Sequence, residues 1–388
     1  MLAAAASLGL LLASGETIRW NASAETQARG RNEPSVEGVG RTGLGELDLH
    51  ARLGLSIQGA DGVAAVAYLP SVLLRQVAFG VAAEGGNATG HGGRLELQTR
   101  LTPTTRLLSR TTLDWGLTDF SPLSAQVTPS IVARLPPQRF LRTLGVETML
   151  DLAHAFSRRL LLSAAAGLQR SGGVGHDAIQ FLPFQVGPMA TVSLSWAADR
   201  ANTLKLLASA SESRFSIGRT SVLSDLETAW TFHAFSHTMI DAGAGATFLY
   251  SSGLDSSSRA TYPSGTLGVA WDLPRAPQSV LRAWLRFRLA PGVDRLTALA
   301  IQTVRAEGRA ELTEGSLRLG ASGSQGHAIS GVGAGADDLR LETRASWIVS
   351  RGWSVEGGFG AARTNQLFFT GWQVQALVGL HWDDGGSF

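Results

Sequence analysis

Strict alternation of apolar and polar residues along residues 371–382 constrains the fold more than any other feature of the chain. One face of this stretch carries apolar side chains with a tryptophan at each end: Trp372, Val374, Ala376, Val378, Leu380 and Trp382. The other face carries Gln373, Gln375, Gly379 and His381, with Leu377 as the one large apolar exception. Successive side chains of a strand point to opposite faces. A strand that crosses a membrane needs about 9–11 residues, and Trp prefers the headgroup level. The stretch therefore predicts a membrane-spanning strand. The alternative is an edge strand of a soluble sandwich, and repetition of the pattern elsewhere decides between the two.

Residues 46–57 repeat the pattern most clearly. Their apolar positions are Leu47, Leu49, Ala51, Leu53, Leu55 and Ile57, and these alternate with Glu46, Asp48, His50, Arg52, Gly54 and Ser56. A face with two acids, a histidine and an arginine cannot form a protein core without dense pairing. Such a face can line a water-filled lumen.

Similar segments follow one another to the end of the chain. We predict eighteen strands: residues 19–29, 46–57, 63–77, 94–101, 106–118, 139–152, 159–169, 189–197, 203–213, 221–232, 237–250, 264–273, 280–290, 295–305, 309–320, 338–350, 353–363 and 371–382. Sixteen is the alternative count, because the alternation is weakest at residues 63–77 and 295–320.

The predicted connections alternate between short and long. The short turns include residues 198–200, 273–279, 306–308 and 350–352, and the long ones include residues 171–187, 251–263 and 322–336. Outer-membrane barrels have short periplasmic turns and longer extracellular loops. The sequence thus predicts an all-β fold, a single closed antiparallel transmembrane β-barrel in the bacterial outer membrane, in contact with lipid.

Composition agrees with this fold class and excludes several kinds of site. Charged residues make up 16% of the chain, against about 25% in typical soluble domains. There is no cysteine, which excludes disulfides, thiolate metal sites and a cysteine nucleophile. The formal net charge is +2, Lys205 is the single lysine, and the arginines are scattered along strands. Without a basic cluster interleaved with aromatic residues, nucleic acid is not an expected partner.

The first fifteen residues differ from the rest. Residues 1–15 have an apolar core and small residues at Ala13 and Gly15, which resembles the end of a secretory signal peptide, although no basic region precedes the core. The alternative is a buried N-terminal helix. We therefore divide the chain into a signal-peptide-like segment, 1–15, and a barrel, 16–388.

No motif predicts catalysis, a metal or a cofactor. His233 and His237 have helical metal-ligand spacing, but they lie at a predicted hairpin turn without the glutamate of the zinc motif. The glycine-rich stretch at residues 331–335 joins two strands, with no helix to bind a phosphate. The acidic pairs at 337–338 and 383–384 are expected to be solvated loop carboxylates. No Ser/His/Asp order is recognisable, so an enzyme is not expected.

The polar faces of the predicted strands define a candidate lumen. Its predicted charged lining is Arg19, Glu25, Asp48, His50, Arg52, Arg94, Glu96, Arg100, Arg106, Arg110, Asp114, Glu147, Asp151, Asp225, Glu227, Arg282, Arg286, Arg288, Arg340, Glu342, Arg344 and Glu356. The mixed signs predict many hydroxyl-binding groups without strong selection for one charge. Alternatively, these residues pair across strands and brace the wall. Arg282, Arg286 and Arg288 are the candidates for unpaired cations facing a substrate.

The proline-rich connection at residues 119–138 is the longest with apolar residues of its own. Long loops in compact domains are often functional. The connection either folds into the pore as a constriction or forms a surface excursion or an extracellular hairpin.

The chain resembles a loose family of Gram-negative outer-membrane barrels, common in myxobacteria-like organisms, some of which accompany polysaccharide-export machinery. The resemblance is carried by Val-Ala-Tyr-Leu-Pro-Ser-Val-Leu-Leu at residues 66–74, by the hairpin at 94–120 and by the aromatic-ended final strand. Barrels of this kind often end in an aromatic residue that the assembly machinery reads. Phe388 fits, but Asp-Asp-Gly-Gly at 383–386 breaks the alternation and makes Trp382 the alternative end.

The strand pattern and the lumen polarity predict a porin-like channel. The resemblance implies an exit pore for an exported polysaccharide, with periplasmic export proteins and the barrel-assembly machinery as partners and no cofactor. The alternatives are a general diffusion porin for small solutes and a non-conducting structural or surface-interaction barrel.

Overall fold

In the computed structural model the described part of the chain forms eighteen strands and one short helix. The structure describes residues 17–34, 41–80, 86–119, 140–253, 257–293, 298–331, 334–335, 337–366 and 369–387. The strands are β1 (Thr17–Pro34), β2 (Arg41–Gln58), β3 (Gly62–Phe79), β4 (Gly86–Thr102), β5 (Thr105–Asp119), β6 (Phe140–Ala155), β7 (Leu160–Gly173), β8 (Gln185–Ala197), β9 (Asn202–Phe215), β10 (Thr220–Phe235), β11 (Thr238–Ser252), β12 (Ser257–Ala276), β13 (Ser279–Val293), β14 (Ala300–Glu314), β15 (Leu317–Gly331), β16 (Asp337–Ser350), β17 (Trp353–Gln366) and β18 (Phe369–Ser387). The helix, α1 (His176–Phe181), lies between β7 and β8.

The strands form one closed antiparallel sheet. Each strand pairs with the next in the chain, and β1 pairs with both β2 and β18, so the first and last strands close the ring. Arg19 lies opposite Ser387 at one end of this seam, and Asn32 lies opposite Val374 near the other. The predicted fold class and the predicted count of eighteen strands are confirmed.

Large apolar side chains lie on the outside of the ring. On β2, Leu53 and Leu55 are 55% and 45% exposed, whereas Glu46 is 5% exposed on the opposite face. A water-soluble sheet would bury the leucines and expose the acid. The inverted arrangement fits a wall with hydrocarbon outside and a polar lumen inside. The protein is an outer-membrane barrel.

Tryptophans mark one rim of this apolar outer surface. The rings of Trp353 and Trp382, which face each other across β17 and β18, are 6.4 Å apart between centroids. Both lie close to the end of the barrel where the connections are only two to four residues long. Short turns are periplasmic in outer-membrane barrels, so this rim lies at the periplasmic boundary of the membrane.

The turn between β8 and β9 shows how these short connections are held. The Asn202 side chain donates to Asp199 at 2.9 Å, and the Ala201 N–H donates at 2.7 Å. The Asn202 amide, followed by the Ala201 N–H, holds the pKa of the Asp199 carboxyl below its usual value. The ionised form of Asp199 therefore holds the turn.

Several predicted connections are strands in the structure. The turn predicted at 306–308 lies inside β14, and the real turn follows Glu314, where Gly315 has a φ of 56°. The long loops predicted at 251–263 and 322–336 are mostly occupied by β12 and β15. The strands have 13–20 residues, more than the membrane requires, and extend past it into water. Beyond the membrane both faces can be polar, so the alternation that predicts a strand is lost.

The end of β18 also differs from the prediction. Asp383 and Asp384 do not end the strand, which stays paired with β1 as far as Ser387. A Cβ atom at Gly386 would lie 2.9 Å from the indole nitrogen of Trp20 on β1. The glycine thus leaves room for the Trp20 ring beside it, and Trp382 is not the end of the last strand.

Helix α1 packs against the ends of β6 and β7, with Ala178 and Leu182 buried. No helix in the described part of the chain is long and apolar enough to cross a membrane. The signal-peptide-like segment 1–15 lies outside the described residues, as does the connection predicted at 119–138 beyond its first residue.

Candidate functional site in the barrel lumen

A cavity of about 1170 Å³ lies inside the barrel, between the wall β1–β7 and the wall β13–β18. Nine of the residues predicted for the lumen line it: Glu25, Asp48, His50, Arg52, Arg94, Asp114, Arg340, Glu342 and Arg344. The other thirteen lie outside this lining, on the strand faces that alternation assigns to the lumen: Arg19, Glu96, Arg100, Arg106, Arg110, Glu147, Asp151, Asp225, Glu227, Arg282, Arg286, Arg288 and Glu356.

Many of these charges pair with neighbours. Asp48 accepts from Arg29 at 2.9 Å and lies 2.9 Å from the His50 imidazole. Arg110 lies 3.6 Å from Glu96 on the adjacent strand. The cross-strand pairs Arg29–Asp48 and Arg110–Glu96 brace the wall, so part of the charge is held in position before any solute enters.

On the β6–β11 side of the lumen, Ser and Thr hydroxyl groups donate hydrogen bonds to the carboxylates. Ser163 donates to Asp151 at 2.9 Å, and Ser209 donates to Asp225 at 3.0 Å. Thr247 donates to the same Asp225 carboxylate. This side of the lumen therefore combines small hydroxyl side chains with acids, in contrast to the arginines elsewhere.

A buried ion cluster lies on the lumen face of β1–β3. The Glu46 carboxylate accepts from Arg31 and, at 2.8 Å, from Arg75, and all three side chains are at most 3% exposed. The Phe140 ring, on β6, lies 4.2 Å from the Arg75 guanidinium. Contact between β6 and β3 across two intervening strands means that the start of β6 leans over the lumen wall.

The predicted lining did not include this cluster. Glu46 lies on the polar face of the predicted strand 46–57, so alternation could have identified it. Arg75 lies in β3, where alternation is weak, and only the register that places it opposite Glu46 reveals its role.

The seam of the barrel carries a hydrogen bond that crosses a whole strand. Gln27 on β1 donates to Glu356 on β17 at 2.7 Å, although β18 lies between them. Gly379 on β18 is opposite both residues, and a Cβ atom there would lie 3.1 Å from Gln27 and 3.0 Å from Glu356. The missing side chain allows the two neighbours to meet.

A series of alternating charges on β14 was missed. Arg305 lies 3.0 Å from Glu307, and Arg309 lies 2.9 Å from Glu311. Glu307 and Arg309 line the cavity. The turn wrongly predicted at 306–308 divided this series, although its period of two is itself a strand signal.

The three arginines of β13 have different surroundings. Arg282 lies 3.5 Å from Asp272, so it is paired. Arg286 lies 5.8 Å from the centre of the Trp284 ring. Among the described residues neither Arg286 nor Arg288 forms an ion pair. Trp284, which lines the cavity, shares their face by simple alternation and was overlooked.

The connection that enters β14 also touches the lumen wall. The Ser221 hydroxyl on β10 donates to the carbonyl oxygen of Ala298 at 2.8 Å. Ala298 is 1% exposed and has a φ of 56°. Thr247 and Leu249 on β11 are buried as well. Residues 298–302 therefore cover part of the wall formed by β10–β12.

The residues considered as metal ligands contact backbone or charged groups of the protein instead. His233 lies near the periplasmic end of β10, 3.4 Å from the Ala201 carbonyl oxygen. His327 pairs with Asp337, and Asp338 lies 3.9 Å from Arg305. Within the described ranges no group of three or more His, Asp or Glu side chains could hold a metal ion.

Comparison with known proteins adds a family and a fold. The model of the EpsX exopolysaccharide export family matches residues 10–367. No curated protein matches the chain. The crystal structure of the outer membrane protein opdK from Pseudomonas aeruginosa is similar, with 10% identity, a TM-score of 0.50, and coverage of 95% of this chain and 99% of that one. OccAB2 from Acinetobacter baumannii has 9% identity, a TM-score of 0.49 and coverages of 94% and 98%. The similarity to opdK shows that the two chains share a barrel fold.

Proposed function

Because the chain belongs to the EpsX exopolysaccharide export family, we propose that it is the channel through which an exported polysaccharide crosses the outer membrane. The proposed role is transport, with lipid around the barrel and periplasmic export proteins delivering the polymer. Assembly into the membrane would use the barrel-assembly machinery.

The observation that carries this proposal is the polar cavity inside a closed wall. A polymer of sugars entering this cavity must exchange its hydrogen bonds to water for hydrogen bonds to protein. Guanidinium groups supply several donors each, and carboxylates supply acceptors. Because many of these groups already hold each other, as Asp48 holds Arg29 and His50, none has to bind the polymer strongly. Passage requires interactions that are favourable on entry and weak enough for exit.

The first test is conductance. The purified, folded barrel in a planar lipid bilayer should give discrete single-channel steps. A folded barrel that gives none would support a non-conducting structural barrel instead.

The second test addresses the polymer. A deletion strain should retain polysaccharide inside the envelope, and the native chain should restore its export. We expect Ser322→Trp, which places an indole in the cavity lining, to reduce both conductance and export. Leu341→Trp is the matched control, because Leu341 on the adjacent strand is 49% exposed on the outer face. Normal export by the deletion strain, together with free passage of small sugars into liposomes, would point to a general diffusion porin.

A further inference from the structure

Trp284 presents an indole to the cavity from the middle of β13. The side chain is 37% exposed and lies between Ala270 on β12 and Arg309 on β14. Ala270 presents only a methyl group on the β12 side, and the Arg286 guanidinium lies over the ring, 5.8 Å from its centroid. A large rigid aromatic ring that is open to a polar lumen offers a stacking surface to any solute with an apolar face.

Pyranose rings have such a face. The axial C–H groups of a sugar form an apolar patch, while its hydroxyl groups point outward around the ring. Stacking on an indole removes the C–H patch from water and leaves the hydroxyl groups free for polar neighbours. Around Trp284 those neighbours are arginines.

Near the Trp284 ring, the arginines of the lumen face outnumber the carboxylates. On β12–β14, five arginines share the lumen face with three carboxylates, and the carboxylates lie next to three of those arginines: Arg282 with Asp272, Arg305 with Glu307, and Arg309 with Glu311. Arg286 and Arg288 follow Trp284 at positions i+2 and i+4 and form no ion pair among the described residues. Arg286 lies opposite Glu307, but the Glu307 carboxylate pairs with Arg305. A guanidinium binds a carboxylate through two parallel hydrogen bonds.

From this arrangement we infer that Trp284, Arg286 and Arg288 form a binding subsite for a sugar residue that carries a carboxylate. The inference rests on the proposed function and extends it, because it assigns the exported polymer to the acidic polysaccharides. The indole holds the ring of a passing residue, and the arginines hold its carboxylate.

The experiment compares two oligosaccharide probes in single-channel recordings of the full-length barrel. Hexagalacturonate should interrupt the current for longer than maltohexaose, by about tenfold in residence time. Trp284→Ala should shorten the interruptions by both probes, whereas Trp284→Phe should retain most of the effect. Arg286→Gln combined with Arg288→Gln should abolish the preference for the acidic probe. Phe287→Ala, on the outer face, is the matched control and should change nothing.

The outcomes separate the two proposals. A barrel without conductance overturns both the channel and the subsite. A conducting barrel that is interrupted equally by the two probes, or whose residence times are unaffected by Trp284→Ala, overturns the subsite and leaves the channel intact.

Discussion

Glu46 is a fully buried acid in the described part of the lumen wall. Its carboxylate is fully buried between two arginines, Arg31 and Arg75, which are buried as well. Charges in such a place persist only when they are paired, and removing the carboxylate takes away the one opposite charge that Arg31 and Arg75 share. The cluster therefore links β1, β2 and β3 by charge as well as by the backbone ladder.

We predict that Glu46→Gln destabilises the barrel by about 3–5 kcal/mol, since two buried guanidinium groups lose their carboxylate. Urea unfolding of the barrel in detergent micelles measures the change. Glu96→Gln is the control, because its pair with Arg110 is 45% and 55% exposed, and it should cost at most about 1 kcal/mol. Equal losses in the two variants would show that the cluster adds nothing to stability.

At the scale of one strand, adjacent residues of β13 face the two environments of the barrel, the lumen and the membrane. Arg288 belongs to the lumen face and Phe287, 46% exposed, to the outer face. Because the chain has no cysteine, a single introduced thiol is the only one that can react.

Arg288→Cys should react with a charged, water-soluble thiol reagent in intact membranes, and Phe287→Cys should not. The thiolate is the reactive form, and lipid disfavours it, so we expect rates that differ by at least about tenfold. Mass spectrometry of the labelled barrel measures both rates. Comparable labelling at the two positions would contradict the assigned faces of β13.

How well the sequence predicts a strand depends on how much of that strand lies within the membrane. Within the membrane, alternation is a physical requirement, and it correctly predicts eighteen strands. Outside the membrane the requirement ends, so β12 was predicted too short. Gly308 lies in the middle of β14, opposite Leu285, and was wrongly interpreted as a turn although the charges around it alternate. Contacts such as that of Glu46 with Arg75 depend on register between strands, which alternation along one strand cannot specify.

The whole molecule has buried lumen surface on two opposite sides. One patch lies on β1–β3 around Glu46, and the other lies on β10–β12 beneath residues 298–302. β2 and β11 are nine strands apart in a ring of eighteen. Both patches lie in the extracellular half of their strands, so the lumen wall is covered at two places on the extracellular side.

The contact between Ser221 and Ala298 holds the second of these patches in place. Ser221→Ala leaves the buried Ala298 carbonyl without its donor, at a cost of about 1–3 kcal/mol. We expect residues 298–302 to become mobile and the open-channel current to become noisier than in the native barrel. Ser224→Ala, on the outer face of the same strand, is the control. An unchanged noise spectrum in Ser221→Ala would contradict this role.

The absence of a side chain at Gly379 affects the register in which β1 and β18 pair to close the barrel. When the first and last strands meet, only one alignment sets an empty position between Gln27 and Glu356. Sliding β18 by two residues would put Leu377 or His381 in that gap and prevent the two side chains from meeting. The missing side chain at Gly379 therefore favours one register between β1 and β18. Closure in another register loses the hydrogen bond between Gln27 and Glu356 across the seam of the barrel.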